Sequence, residues 1–343
     1  MSLASAAEVI PRLPELAGRT ILVVGDVVLD RYVVGRATRL SREAPVPVLV
    51  HEQSFSLPGA AANPARNIQA LGSSTIQATV IGDDAAGAEL VALLQEAGVE
   101  TSSVARLAGR CTSVKQRIMA RGSLRYPQQV ARVDWLEQTP LAPEHSAALA
   151  TAVERRSAEA DAILISDYQG GIVGRCVLAA CVQARSRHGL PVCVDAQGGL
   201  RQYRDVSCVK CNRDEASQTL LRPLQLEEDF LEGTAELMAA LSVDMVAVTR
   251  GEAGMSLRHK DSGYMSFAAP NRSEVFDVVG AGDTVIAIMA LGLAAGWPPR
   301  LMATVAQLGA GIVVQRLGNA TTTLAELELA ARKWLPAGEE SSP

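Results

Sequence analysis

The residues best equipped for chemistry in this chain stand together in VFDVVGAGDTVIAIMALGL, residues 275–293. Gly280, Ala281 and Gly282 separate an apolar run of strand type from one of helix type, and the acid Asp283 follows at once. Glycines at the start of a helix leave backbone N–H groups free to converge on an anion. A Walker loop would continue with lysine and a dinucleotide-binding turn with a third glycine, but Asp283 and Val285 stand in those places. One reading is an ordinary tight turn with an acid near the helix N-terminus. The other is that the amides hold charge on a transferring phosphoryl group while Asp283 receives the proton of an attacking hydroxyl. The helix N-terminus is expected to depress the Asp283 pKa, so that proton removal comes late, as the oxygen bonds to phosphorus.

Such a site needs a frame. With 343 residues and 48% hydrophobic content, the chain can bury one large core or two ordinary ones. Aromatics are only 3%, so Ala, Val and Leu must fill that core, as where helices pack closely on a parallel sheet. Val/Ile-rich runs at 20–25, 74–81, 161–166, 191–195, 206–210 and 244–249 have the continuous apolarity of strands buried on both faces. Helical spacing recurs at 61–71, 84–97, 143–160, 174–188, 226–242, 281–296, 299–316 and 324–334. The alternation predicts an α/β fold: a doubly wound, mostly parallel sheet flanked by helices. RYVVG with PVPVLVHEQSF, and TSVKQRIMARGSLRYPQQVARVD at 112–134, break that alternation and suggest a small accessory sheet. The last residues, PAGEESSP at 336–343, are expected to form a disordered tail.

Several classes of partner drop out. A net charge of −5 offers no broad basic face for nucleic acid. The apolar runs near 285–297 and 301–314 fall short of the ~20 uninterrupted residues a membrane span needs, and MSLASAAEVIPRLPELAG lacks a basic n-region before an apolar core. A cytoplasmic location is therefore expected. Cys208 and Cys211 in VSCVKCN lie three apart on a strand-like run, so their thiols should face opposite ways and serve structure rather than a metal.

DVVGAGD is similar to the C-terminal signature D-[ST]-x-G-A-G-D of the ribokinase-like sugar kinases, the phosphofructokinase-B family. Asp277, Gly280, Ala281, Gly282 and Asp283 match, and Val278 takes the place of Thr or Ser. The resemblance implies Asp283 as catalytic base and the 280–282 amides as its anion hole. GDVVLDRY followed by LPGAAANPARN resembles the family's N-terminal half, which implies that Asp30, Gly59 and Asn63 grip sugar hydroxyls. CNRDEA and VTRGEAGM look like the family's N-x-x-E and T-x-G-x-x-G segments. Asn212 and Glu215 would then orient magnesium and its waters, while Thr249, Arg250, Gly251 and Gly254 line the nucleotide groove. Taken singly, Asp30 also fits a solvated turn acid, NRDE a helix N-terminus and Arg250 a surface residue.

GDVVLDRYVVGRATRLSREAPVPVLV resembles the kinase module of the heptose-phosphate kinases of ADP-heptose synthesis, a likeness extending over roughly 20–335. It implies one ribokinase-like domain at 1–335 with a small β-sheet lid, from about 31–55 and 112–134, closing over the sugar. It also implies ATP and Mg2+ as cofactors, with a monovalent cation as a further candidate, and a homodimer through the lid, whose VPVLV strand invites pairing. No H-x-G-H occurs among His51, His145, His188 and His259, so nucleotidyltransferase chemistry is not expected. The expected reaction is ATP-dependent phosphorylation of a sugar hydroxyl, the anomeric one of a heptose 7-phosphate. Two lysines of that family, in S-D-Y-x-K-G and D-P-K-G, are Gln169 and Gln197 here. Glutamine in the acceptor pocket offers a hydrogen bond but no charge, so either the acceptor carries no phosphate or Arg42, Lys115 or Arg132 substitutes. Ala60 stands where a second glycine is usual and narrows that turn's backbone freedom. The other readings are a kinase for another sugar or sugar acid, and a non-catalytic sugar- or nucleotide-binding regulator.

Overall fold

The computed structural model describes residues 3–122, 127–270 and 277–336, so residues 337–343 of the expected tail lie outside it. A short helix, α1 (Ala6–Val9), opens the chain and is capped by Ser5. Five strands follow in the first half: β1 (Thr20–Gly25), β2 (Val27–Leu40), β3 (Pro47–Ala60), β4 (Ser74–Gly82) and β5 (Glu100–Leu107). Then come β6 (Val114–Arg121), β7 (Gln128–Trp135), β8 (Ala162–Asp167), β9 (Val192–Ala196) and β10 (Cys208–Asn212). The last strands are β11 (Met245–Thr249), β12 (Met255–His259) and β13 (Gly263–Phe267). Among them run α2 (Ala62–Ala70), α3 (Ala85–Glu96), α4 (Pro143–Ser157), α5 (Arg175–His188), α6 (Arg213–Leu220) and α7 (Glu227–Leu241). Three helices close the described chain: α8 (Ala281–Ala294), α9 (Pro299–Val313) and α10 (Leu324–Trp334).

The main sheet has the order β13-β12-β11-β10-β9-β8-β1-β4-β5. It is parallel from β11 to β5, and the β12–β13 hairpin adds an antiparallel edge. The pleat explains the continuous apolar strands. Ile21 and Val23 point into a core with α2, α3, α8, α9 and α10, whereas Leu22 and Val24 point into a second core with α4, α5, α6 and α7. Cys208 belongs to the first core and Cys211 to the second, so the two thiols do face apart. The doubly wound expectation holds. The strands β5, β12 and β13 escaped the sequence reading because none has a continuous apolar run: β5 and β13 are edge strands with an exposed side, and β12 ends in the half-buried Arg258 and His259. Helix α6 escaped because only its N-terminal capping box marks it.

The second sheet has the order β3-β2-β6-β7, with β2 and β6 parallel and the outer pairs antiparallel. Its own core is small: Tyr32, stacked on Phe55 at 4.8 Å, with Val34 and Met119. Only Asp26 separates β1 from β2, and Ala61 alone separates β3 from α2. The second sheet is thus rooted at the C-terminal end of β1, an interior strand of the main sheet, and ligands of open α/β sheets bind at that end of the strands.

At that root Ala60 is forced to φ 53°, in the left-handed region that a Cβ disfavours. Such a residue costs roughly 1–2 kcal/mol, while glycine gives back part of the gain as unfolded-state entropy. Ala60→Gly is expected to stabilise the fold by up to about 1 kcal/mol, seen as a higher urea midpoint at unchanged slope; a lower midpoint would show that the methyl's packing outweighs the strain.

Candidate active site

Asp283 lies in the first turn of α8, buried, and its two carboxylate oxygens are bound from opposite sides. Asn63 Nδ2 donates to Oδ2 at 2.8 Å and Tyr168 Oη donates to Oδ1 at 2.8 Å. Helices α2 and α8 are fixed side by side by Thr284 Oγ1 donating to Asn67 Oδ1 at 3.0 Å. Gly280 caps α8 at φ 80°, and a Cβ there would stand 2.8 Å from Asn63 Nδ2, so both backbone and space require glycine. Asp277 holds the loop from below, accepting from the N–H groups of Val279 at 3.0 Å and Gly318 at 2.8 Å. The N–H of Ala281 turns back to Val278 O at 3.3 Å, so the anion cradle falls to the N–H groups of its neighbours.

The expected depression of the Asp283 pKa is reversed. Burial, joined by the charge of Asp195, pushes it up to about 6; the donors Asn63 and Tyr168 and the Lys210 ammonium pull the other way without prevailing. Desolvation of a carboxylate this deep outweighs the partial charge of one helix end. A carboxyl of that strength is a better proton acceptor near neutrality than an ordinary aspartate.

At the root of the second sheet lies a cluster of buried polar groups. Asp30 Oδ1 is 2.5 Å from the Arg117 guanidinium and Oδ2 accepts from Asn319 Nδ2 at 2.5 Å, all three side chains being buried. Gly59 packs on the same carboxylate so closely that a Cβ would come within 2.2 Å of Oδ2. Below it, Asp26 accepts from the N–H groups of Tyr168 at 2.7 Å and Gly170 at 3.0 Å, setting the turn that aims Tyr168 at Asp283. Burial raises the Asp26 pKa to about 6, against those backbone donors and with help from neighbouring Asp167.

The two glutamines occupy the rim of this turn, where Gln169 Nε2 donates to the Gln197 carbonyl. Of the three cations weighed as substitutes, Arg42 is exposed on the far end of the second sheet and Arg132 is forked onto Asp134 at 2.9 Å. Lys115 alone stands at the site, its ammonium 5.5 Å from the centre of the Tyr168 ring. Among the described residues no carboxylate pairs with it.

On the other side of Asp283 opens a cleft of about 890 Å³, bordered by Asn212, Glu215, Thr249, Gly251, Gly254 and the 280–283 turn. Asn212 and Glu215 form the capping box of α6: Asn212 Oδ1 accepts from Glu215 N at 2.9 Å and Glu215 Oε2 from Asn212 N at 2.7 Å. The second Glu215 oxygen is left for other work. Arg250 borders the cleft, but its guanidinium is committed, 2.6 Å from Glu227 and 4.9 Å over the Phe230 ring. Val278 is 69% exposed beside the cleft, which explains why an apolar residue there disturbs no packing. Tyr168, Arg117, Asn319, Lys210 and Asp26 were not picked out from the sequence. Tyr168 lies inside SDYQGG and Asp26 inside GDVVLDRY; Arg117, Asn319 and Lys210 reach the site through contacts between distant segments.

A buried carboxylate at a helix N-terminus, with a cleft of about 890 Å³ on one side and a cluster of buried polar groups on the other, suits phosphoryl transfer to an alcohol. The family model of pfkB carbohydrate kinases matches residues 19–326, and the chain belongs to that family, whose members are ATP-dependent sugar kinases. It is 38% identical over 316 residues to the bifunctional protein HldE of Mesorhizobium japonicum, covering 92% of this chain and 62% of that one. It is 40% identical over 322 residues to the bifunctional protein HldE of Stutzerimonas stutzeri, covering 94% and 65%. The chain thus spans less than two thirds of these relatives' length. Among solved structures, phosphofructokinase-2 from Escherichia coli in complex with potassium superposes with TM-score 0.72 at 20% identity, covering 92% of this chain and 99% of that one. Arabidopsis thaliana ribokinase complexed with ribose and ATP gives 0.67 at 19%, covering 93% and 98%.

The raised Asp283 pKa fixes two expectations. Asp283 can act as a base only when ionised, so if it does, kcat/KM is expected to fall about tenfold per pH unit below about pH 6, and Tyr168→Phe, which removes a donor to the ionised form, should move that limb upward. An unmoved limb would assign it to another group. The ionised carboxylate also costs folding energy above about pH 6, a cost relieved as pH falls toward the ordinary 3.8. Asp283→Asn is therefore expected to be more thermostable than the native chain at pH 8, by on the order of 2 kcal/mol, with the gap closing toward pH 5.

Proposed function

We propose that this kinase transfers the γ-phosphoryl group of ATP to the anomeric hydroxyl of a heptose 7-phosphate. The observation that carries the reading is the placement of Asp283 between the two subsites, with a lone pair left on each oxygen beyond its single donor. The sugar's hydroxyls bond Asp30, Arg117, Asn319 and Asn63, which orient the reacting oxygen toward Asp283. Asn63 Oδ1 supports this role, being buried with no protein donor. Asp283 takes the hydroxyl proton as that oxygen bonds to phosphorus, and the N–H groups of Gly280 and Gly282 hold the developing negative charge. Lys115 binds the acceptor's own phosphate in place of the two lysines lost at Gln169 and Gln197.

Among the described residues there is no cluster of three or more His, Cys, Asp or Glu that could cage a metal. The donors at α6 fit Mg2+ held mainly by phosphates and water: the spare Glu215 oxygen and the Asn212 amide would bond its water shell. Magnesium supplies charge neutralisation of the phosphates there. The second sheet closes over the acceptor and keeps water from the phosphoryl group. Val50, Val130, Val133 and Trp135 leave its outer half apolar and exposed, which supports a homodimer sealed through these sheets in the cytoplasm. No helix among the described residues is long and apolar enough to cross a membrane.

A second reading, an unphosphorylated sugar or a sugar acid as acceptor, is favoured by the uncharged Gln169 and Gln197 closed on each other. ADP release across a panel of phosphorylated and free sugars separates the two. Response to heptose 7-phosphate with a KM raised at least about tenfold by Lys115→Met is the expected result; response to free sugars alone would sink the heptose-phosphate reading. Asp283→Asn should lower turnover by at least about a hundredfold with nucleotide binding kept. Sedimentation at micromolar concentration is expected to show a dimer, and Val133→Lys with Trp135→Lys a monomer; a native monomer would remove the sheet-to-sheet assembly.

A further inference from the structure

Lys210 stands on β10, an interior strand, with only 6% of its surface exposed, and it was singled out by neither motif nor spacing. Its Nζ donates to Asp195 Oδ2 at 2.8 Å. On its other side it lies against Gly282, so closely that a Cβ there would be 2.8 Å from Nζ. It borders the same cleft as the 280–283 turn, Asn212 and Glu215. The other cation on that wall, Arg250, is held by Glu227, and Arg213 is exposed against Asp214.

A buried ion pair is weak support for stability, because a well-packed apolar pair of the same volume does as well or better. Stability therefore gives no reason to keep an ammonium inside the sheet. Its surroundings do give one. Burial would drive the Lys210 pKa down, yet Asp195 outweighs burial and holds it above the ordinary value, so the charge is permanent. Asp195 uses one of three N–H donors, and the ammonium lies against Gly282 in the first turn of α8. A fixed cation beside the N–H groups of a helix start, on the wall of one cleft, is what the equatorial oxygens of a transferring phosphoryl group require.

We infer that Lys210 is a catalytic residue that binds the γ-phosphoryl group of ATP, its free N–H donors acting together with the Gly280 and Gly282 amides. In the step it serves, the sugar oxygen forms a bond to the γ-phosphorus and the bond from that phosphorus to the bridging oxygen breaks. The electron pair stays on the β-phosphate of ADP, the hydroxyl proton passes to Asp283, and Lys210 keeps its proton throughout. Asp195 is the positioning residue, keeping the ammonium protonated and aimed. The inference rests on the reading of this cleft as the nucleotide subsite, but not on Asp283 being the base.

The test is affinity for ADP and for the non-hydrolysable β,γ-imido analogue of ATP, each with magnesium, by calorimetry. Lys210→Met is expected to lose about tenfold to a hundredfold in affinity for the imido analogue and little for ADP. Because that variant leaves Asp195 buried and unpaired, Asp195→Asn with Lys210→Met is measured beside it, removing both charges while keeping the volume. If Lys210 holds the γ-phosphoryl group, the double variant folds with a normal melting temperature and still fails to prefer the triphosphate. Recovery of the native preference in the double variant, or an equal loss for both nucleotides, would overturn the assignment and leave Lys210 as the neutraliser of Asp195. Failure of Asp283→Asn to slow turnover would remove the base while leaving this nucleotide discrimination intact.

Discussion

Everything at the active site follows from burying one carboxylate where it is uncomfortable. Asp283 is 5% exposed, and each of its oxygens has a single protein donor. Fewer donors would leave a buried charge unsatisfied; more would consume the lone pairs a proton needs. The donors come from α2 and from the turn after β8, segments 220 and 115 residues away along the chain. The carboxylate is therefore held only when the tertiary fold is complete, and its setting depends on the packing of α2 on α8. Asp195 and Lys210 balance the same region: one raises the Asp283 pKa while the other lowers it.

The legibility of the sequence divides along that line. Strands buried on both faces were readable because burial imposes a continuous apolar run, and the 280–283 turn because its residues are adjacent. Asp30 came from one short stretch, GDVVLDRY, and Gly59 and Asn63 from another, LPGAAANPARN, whose order matters more than any single residue. Their partners were not readable. Arg117 meets Asp30 across 87 residues and Asn319 meets it across 289, and nothing in the local spacing of either residue announces a carboxylate waiting elsewhere. Lys210 was hidden differently, inside an apolar strand pattern where a charged residue looks like noise until Asp195 on the neighbouring strand is seen beside it. The Asp283 pKa was misjudged for a related reason: the helix end is visible in sequence, whereas depth of burial is a property of the assembled core.

Two features that looked like losses in the sequence have local structural explanations. Gln169 sits at φ 59° and ties its amide to the Gln197 carbonyl, so the two glutamines close a strained turn on themselves. That leaves the pocket's positive charge to residues on other elements. Arg117 is spent on Asp30. Lys115, two residues earlier on β6, has an aromatic face beside it and no carboxylate partner among the described residues. In a strand, residues two apart share a face, so the Arg117 guanidinium and the Lys115 ammonium lie side by side.

The second sheet gains a meaning from where it is rooted. Asp30 and Arg117 ride on β2 and β6, but Asn319, which bonds the other oxygen of Asp30, belongs to the segment between α9 and α10 in the main body. The Asp30 carboxylate is accordingly a rivet between two layers, and breaking one partner of so buried a pair costs several kcal/mol. Any motion of the second sheet relative to Asp283 must pivot at this rivet, because β2 leaves β1 after a single residue and β3 enters α2 after another. A rotation there would swing the exposed outer half of the sheet while leaving the Asp30, Arg117 and Asn319 side chains joined at its root.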